Sequence, residues 1–260
     1  MTGQIVLVTG ANQGLGHAIV EVAAKTYPGN TYIVASRDKV KGETAVSKLR
    51  ELGVSDDTVI DLVKLDVDSN DEVVAVAKYV EERYGRLDVL INNAGYLRMP
   101  AESDLGAVRA QWNALLNTHI TSVAVVTYAF KHLLHKSGSP KVINITSGLA
   151  SMTNTLARPS PFPAPGYGAS KAGLNGLTAH LQTGENKRIA SGASAASAPL
   201  IRFYAVAPGV LKTAFTGFQV GKPPQLGAQV VMQLLGDEEG TYPGGTQWQF
   251  ENGEMMQVPW

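Results

Sequence analysis

With 260 residues, 44% of them apolar, the chain can bury a large core, and its 22 basic and 22 acidic side chains leave a formal net charge of zero. Balanced charge argues against nucleic acid or an anionic membrane as a main partner, and an open α/β sheet of this length commonly forms one domain. Absence of cysteine excludes disulfides, thiolate nucleophiles and cysteine metal sites.

The chain opens on Q-I-V-L-V-T-G-A-N-Q-G-L-G at residues 4–16, an apolar run that predicts a buried parallel strand over Ile5–Thr9. Gly10, Gly14 and Gly16 follow, then a helical pattern over His17–Lys25. Strand, glycines and helix in that order make a dinucleotide-binding turn. Gly10 permits the sharp exit, Gly14 lets main chain approach a pyrophosphate, and Gly16 lets helix and strand pack closely. The helix N-terminus offers free N–H groups to phosphate. A purely structural glycine turn is the competing reading.

The second strand is expected at Thr31–Ser36, and Ser36 and Arg37 stand where NAD enzymes place a carboxylate on the ribose. A guanidinium suits a 2′-phosphate by charge and by its planar donor fork, so NADPH is expected rather than NADH. Helices are predicted at Lys39–Leu52 and Asn70–Tyr84 around a strand at Val59–Asp66, followed by a strand at Val89–Asn92. One long helix is expected over Asp104–His135, then a strand at Lys141–Thr146. Beyond these lie a helix at Tyr167–Glu185, a strand at Leu200–Val206, a short helix at Gln225–Leu235 and a strand at Gln247–Phe250. The alternation predicts a parallel sheet covered on both faces.

Tyr167 and Lys171 lie four apart in Y-G-A-S-K and so share one helix face. A neighbouring ammonium is the simple way to make a phenol useful as an acid or base near neutrality. The same spacing also occurs in any amphipathic surface turn.

Taken together, T-G-A-N-Q-G-L-G at 9–16, N-N-A-G at 92–95 and Y-G-A-S-K at 167–171 resemble the short-chain dehydrogenase/reductase family. L-D-V at 65–67, Asn117, Ser147 in N-I-T-S and P-G-V-L-K-T at 208–213 follow in the family's order. S-R-D at 36–38, K-L-R-E-L-G and Trp260 as last residue look most like its monomeric carbonyl reductases. The resemblance implies a doubly wound, seven-stranded Rossmann fold in a single domain. It implies Tyr167 as proton donor, Lys171 favouring the phenolate and holding the nicotinamide ribose, Ser147 on the substrate carbonyl, and Asn117 anchoring a water behind the lysine. It further implies cofactor contacts from Gly10, Asn12, Gln13, Gly14, Leu15, Gly16, Arg37, Asp66, Val67, Asn93, Gly95, Pro208, Leu211 and Thr213, besides Tyr167 and Lys171. Ile120 and Tyr204 depart from the family's usual glycine and asparagine, at positions expected near the ligand end of the sheet.

Two loops fall where ligands bind in such folds. Ser151–Gly166, with Pro159, Pro161, Pro163 and Pro165, is expected to be stiff and irregular, and Thr213–Pro224 is brief where many members of the family it resembles carry a substrate-covering lid, which implies an open, permissive pocket. Met99, Met152, Phe162 and Phe215 are candidates for an apolar substrate wall. His119, His132 and His135 lack further ligands at suitable spacing; no metal site is expected, and the three are read as surface helix residues. Asn144-Ile-Thr146 matches a glycosylation acceptor inside a predicted buried strand, which makes the match accidental.

The sequence therefore points to an NADPH-dependent reductase acting on a small carbonyl compound, or in reverse on an alcohol. A cofactor-binding isomerase, dehydratase or cyclase without net redox remains the alternative, and a nucleotide sensor is a third reading. No apolar run spans a bilayer and no signal-peptide layout is present, so the cytoplasm is the expected compartment. The resemblance leaves open a monomer or a homo-oligomer paired through the Asp104–His135 and Tyr167 helices.

Overall fold

In the computed structural model, which describes residues 3–97, 104–157, 164–192 and 198–260, every residue of strand β1 (Ile5–Thr9) is buried. Side chains alternate across a strand, so Ile5 and Leu7 enter a core on one face of the sheet while Val6 and Val8 enter the core on the other. β1 is continuous in its apolarity because it is covered twice.

The other strands are β2 (Thr31–Ser36), β3 (Val59–Lys64), β4 (Val89–Asn92), β5 (Lys141–Ile145), β6 (Arg202–Val206), β7 (Thr246–Glu251) and β8 (Glu254–Val258). Their order in the sheet is β3-β2-β1-β4-β5-β6-β7-β8. β1 to β7 run parallel, and β8 pairs antiparallel with β7. The sheet thus has eight strands where seven were expected. The signal for the eighth is Asn252-Gly253, which takes positive φ at both positions (52° and 88°) and closes a two-residue hairpin between Glu251 and Glu254.

The helices are α1 (Gly14–Thr26), α2 (Lys39–Arg50), α3 (Asn70–Tyr84), α4 (Leu105–Leu116), α5 (Ser122–Leu134), α6 (Met152–Ala157), α7 (Pro165–Ala190) and α8 (Pro224–Gly236). α1, α2 and α8 supply Ile19, Val46 and Val231 to the core containing Val6. α3 and α5 supply Val73, Val80 and Phe130 to the core containing Leu7. Ser69 and Gly85 bound α3, the serine hydroxyl accepting from the Glu72 N–H and the glycine taking φ 75°.

The single helix expected over Asp104–His135 is broken. Asn117–Thr121 forms a π turn between α4 and α5, in which the Ser122 N–H reaches back five residues to the Asn117 carbonyl. Ile120 lies against α7 at Gly173, where an added Cβ would come within 2.4 Å of the Ile120 side chain. Tyr204 is fully buried within β6, and its hydroxyl donates to the Tyr242 carbonyl at 3.1 Å, so this departure serves the core. Asn144 is likewise fully buried, in keeping with an accidental acceptor sequence.

Strand order reverses between β1 and β4, so the chain leaves these neighbours in opposite directions and opens a crevice at their carboxyl ends.

Candidate active site

That crevice is a groove of about 800 Å³, lined by Gly10, Asn12, Gln13, Gly14 and Leu15 from the first turn. Gly10 and Gly14 take φ 63° and 57°, the left-handed region that glycine enters without steric cost. Gly16 lies behind the wall, where an added Cβ would stand 2.5 Å from Asn93 Nδ2 and 2.6 Å from the Gly10 carbonyl. Its role is close packing. Gln13 precedes α1 without a side-chain cap, and no acidic residue occupies the first turn, so the helix N-terminus stays available to an anion.

Arg37 is exposed on the groove wall and makes no ion pair among the described residues. Asp38 turns away from it and caps α2, accepting from the Lys41 N–H at 3.1 Å. Asp66, Val67, Asn93, Gly95 and Thr213 also line the groove. Asn93 spends its side-chain amide on the carbonyls of Thr9 (2.8 Å) and Gly10 (3.1 Å), bracing the glycine turn. Pro208 and Leu211 lie off the wall; Leu211 packs against α8, where a Cβ on Gly227 would come 2.6 Å from it. Unexpected on the wall are Asp68 and Thr118, whose hydroxyl donates to the Asp68 carboxylate at 2.8 Å, and the exposed Lys212. Unpaired arginine, backbone donors and left-handed glycines suit a phosphorylated dinucleotide.

Tyr167 and Lys171 lie together behind the groove wall, next to its residues Phe215 and Gly95, and Ser147 stands beside Tyr167. The Tyr167 ring packs edge-on against Phe215, a groove residue, with ring centroids 5.4 Å apart. Lys171 Nζ lies 5.8 Å from the Tyr167 ring centroid and donates to the Ile145 carbonyl at 2.8 Å. Burial pushes the Tyr167 phenol up to about 12, against a hydrogen bond from Ser147 that acts in the opposite sense. Burial also pulls the Lys171 ammonium down to about 7. The expected acidification of the tyrosine by the lysine is not among the causes of either shift; desolvation disfavours both charged forms. Ser147 is fixed by its neighbours: its Oγ accepts from the Leu149 N–H and its carbonyl from Gln247.

Asn117 does not join this group. Its side chain is exposed, because the π turn directs Thr118, His119 and Ser122 inward instead. His119, read from the sequence as a surface residue, is fully buried, with its ring 5.6 Å from that of Tyr167. The signal was present: positions 119, 123, 126 and 130 share one helix face, and Val123, Val126 and Phe130 are apolar. Among the described residues no cluster of His, Asp or Glu is arranged to hold a metal.

The segment between Ser147 and Tyr167 is less irregular than expected, since Met152–Ala157 forms α6. Thr153 fastens it to the far end of the chain, its N–H and hydroxyl donating to the Trp260 carbonyl at 3.1 and 2.7 Å. Met152 is exposed, and Phe215 lies on the groove wall, whereas Met99, Phe162 and Pro159, Pro161 and Pro163 fall outside the described residues.

The sequence profile described as short chain dehydrogenase matches residues 4–222. The chain belongs to the short-chain dehydrogenase/reductase family, a family of oxidoreductases. A short-chain dehydrogenase/reductase of Aspergillus fumigatus is 55% identical, the alignment covering 100% of this chain and 98% of that protein. A short-chain dehydrogenase of Penicillium roqueforti is 34% identical over 90% of this chain and 88% of its own. Among solved structures, NADPH-bound carbonyl reductase from chicken fatty liver superposes with a TM-score of 0.78 at 25% identity, covering 100% of both chains.

Proposed function

We propose that the protein reduces an aldehyde or ketone to the alcohol with NADPH, Tyr167 delivering the proton. One observation carries this reading: the Tyr167 ring, one helical turn before Lys171 and 5.8 Å from its ammonium, packs against Phe215 on the wall of a glycine-floored groove whose Arg37 makes no ion pair among the described residues. The likeness to an NADPH-bound carbonyl reductase supports it. No described helix is long and apolar enough to cross a membrane, which accords with a small-molecule enzyme of the cytoplasm.

A bound dihydronicotinamide supplies the hydride. Ser147 orients the substrate carbonyl oxygen by a hydrogen bond, within reach of the phenol. Tyr167, a phenol that is protonated at neutral pH with or without burial, is the acid that donates to that oxygen as negative charge develops on it. Lys171 uses one N–H on the Ile145 carbonyl and has two more to offer to ribose hydroxyls. Arg37 receives the 2′-phosphate. The exposed Asn117 is given no part in proton replacement.

Loss of NADPH absorbance with a panel of aldehydes and ketones tests the proposal. Tyr167→Phe is expected to lower kcat by about 100- to 10,000-fold, with cofactor affinity nearly unchanged. Retained turnover refutes Tyr167 as donor. Equal or better efficiency with NADH refutes the Arg37 argument, and product formed without cofactor consumption favours an isomerase, dehydratase or cyclase.

A further inference from the structure

We propose that His119 is the positioning residue of the proton-transfer site, an imidazole held in one tautomer that ties the loop after β4 to α7 and fixes the Tyr167 ring. The inference rests on Tyr167 being the proton donor.

Hydrogen-bond direction assigns the tautomer. The Tyr96 backbone N–H lies 3.2 Å from His119 Nε2, and a backbone amide can only donate. Nε2 must therefore be bare. Neutral imidazole then carries its proton on Nδ1, which stands 2.8 Å from Ser170 Oγ. The Ser170 hydroxyl donates its own proton to the Tyr167 carbonyl at 2.7 Å, leaving a lone pair to accept from Nδ1–H. Every group in the sequence Tyr96 N–H, His119, Ser170 and Tyr167 C=O is satisfied, and each donates in the same direction. Reversing any member leaves two donors or two acceptors face to face.

The ring is placed as firmly as its nitrogens. Tyr167 is clamped between His119, edge-on at 5.6 Å and 87°, and Phe215 at 5.4 Å. On its other side His119 meets the Tyr96 ring at 5.8 Å. Gly95 completes the contact: a Cβ there would come 2.9 Å from His119 Nε2 and 3.8 Å from Lys171 Nζ. Groove wall, imidazole and lysine thus converge on a single glycine. The π turn brings the imidazole to this place, because the helix widens one residue-step before α5 begins.

His119 is not itself the acid. Burial, with the nearby Lys171 charge, drives it down to about 3, so it stays neutral throughout the working range. A protonated ring would also bring a second N–H against the Tyr96 amide.

The test compares His119→Phe, His119→Ala and His119→Gln in the full-length protein. Glutamine can present an amide oxygen where Nε2 stood and accept from Tyr96; phenylalanine fills the volume without accepting. With a carbonyl compound turned over by the wild type, Phe and Ala variants are expected to lose about 10- to 100-fold in kcat, as misplacement of a reacting group predicts. NADPH affinity, read by fluorescence, is expected to stay within about threefold, because the substitution lies behind the groove wall, and Gln is expected to recover most of the loss. A Phe variant with wild-type kcat, or a Gln variant no better than Ala, overturns the proposal. Nitrogen-15 NMR of the wild-type imidazole provides a readout independent of turnover and of variant folding. Protonated Nδ1 with bare Nε2 supports the assignment, and protonated Nε2 overturns it. A wild type inactive on every carbonyl compound would instead sink the proposed function while the NMR result still decides the tautomer.

Discussion

Two lysines are buried at opposite ends of the same sheet, and they have been put to different uses. Lys141 begins β5 at the end away from the groove, where its ammonium donates to the carbonyls of Leu234 (2.8 Å) and Leu235 (3.0 Å) in the last turn of α8. A cation at a helix C-terminus meets the negative end of the dipole and satisfies carbonyls with no intrahelical partner. Lys171, at the groove, has one carbonyl acceptor among the described residues. Burial lowers both, to about 8 for Lys141 and about 7 for Lys171. Desolvation alone therefore does not distinguish a structural lysine from the one we propose for the reaction. The difference lies in how many of its donors the protein has already engaged.

The largest expected effect is at the groove. Lys171→Met should lower kcat for carbonyl reduction by about 100-fold or more, while the thermal midpoint stays near or above that of the wild type, since a poorly paired buried charge has been removed. A mutant that reduces substrate at the wild-type rate would break the comparison. Lys141→Met should do the reverse, leaving kcat intact and costing about 1–3 kcal/mol in denaturant unfolding, because two buried helix-end carbonyls lose their donor. Loss of activity in a well-folded Lys141→Met protein would show that the two ends of the sheet are coupled.

The smallest effect is in the pH dependence of stability. Lys141 binds its proton less tightly folded than unfolded, so between about 8 and the unfolded value of 10.5 the unfolded chain holds more protons. Its contribution therefore rises with pH across that window. The stability difference between wild type and Lys141→Met should widen in the wild type's favour as pH rises from about 8 to 10, and differential melting measures it. A flat difference curve would mean that Lys141 titrates normally.

The two ends were unequally legible in the sequence. The glycine turn, Arg37 and the Tyr167 helix could be read because each depends on local chemistry: a φ that only glycine takes readily, a guanidinium at a strand end, two side chains one turn apart. Lys141 could not, since a lysine opening a strand reads as exposed and its partners lie more than 90 residues away. His119, buried against the surface reading, and Asn117, exposed apart from the other three, were hard to place for a related reason. A π turn breaks the 3.6-residue period and nothing in N-T-H-I-T itself announces it; the one legible sign was the apolar face that Val123, Val126 and Phe130 continue from His119. The missed eighth strand differs again, because Asn252-Gly253 stated the hairpin openly.

One contact far from the glycine turn ties two distant parts of the sequence together. Thr153 closes onto the carbonyl of Trp260, so α6 is latched to the residue two beyond β8 rather than to adjoining chain. Lengthening or shortening the hairpin of β7 and β8 would move the latch while leaving the acid, the lysine and the phosphate cradle untouched. The placement of α6 is thus set from the rim of the sheet, independently of the strands between.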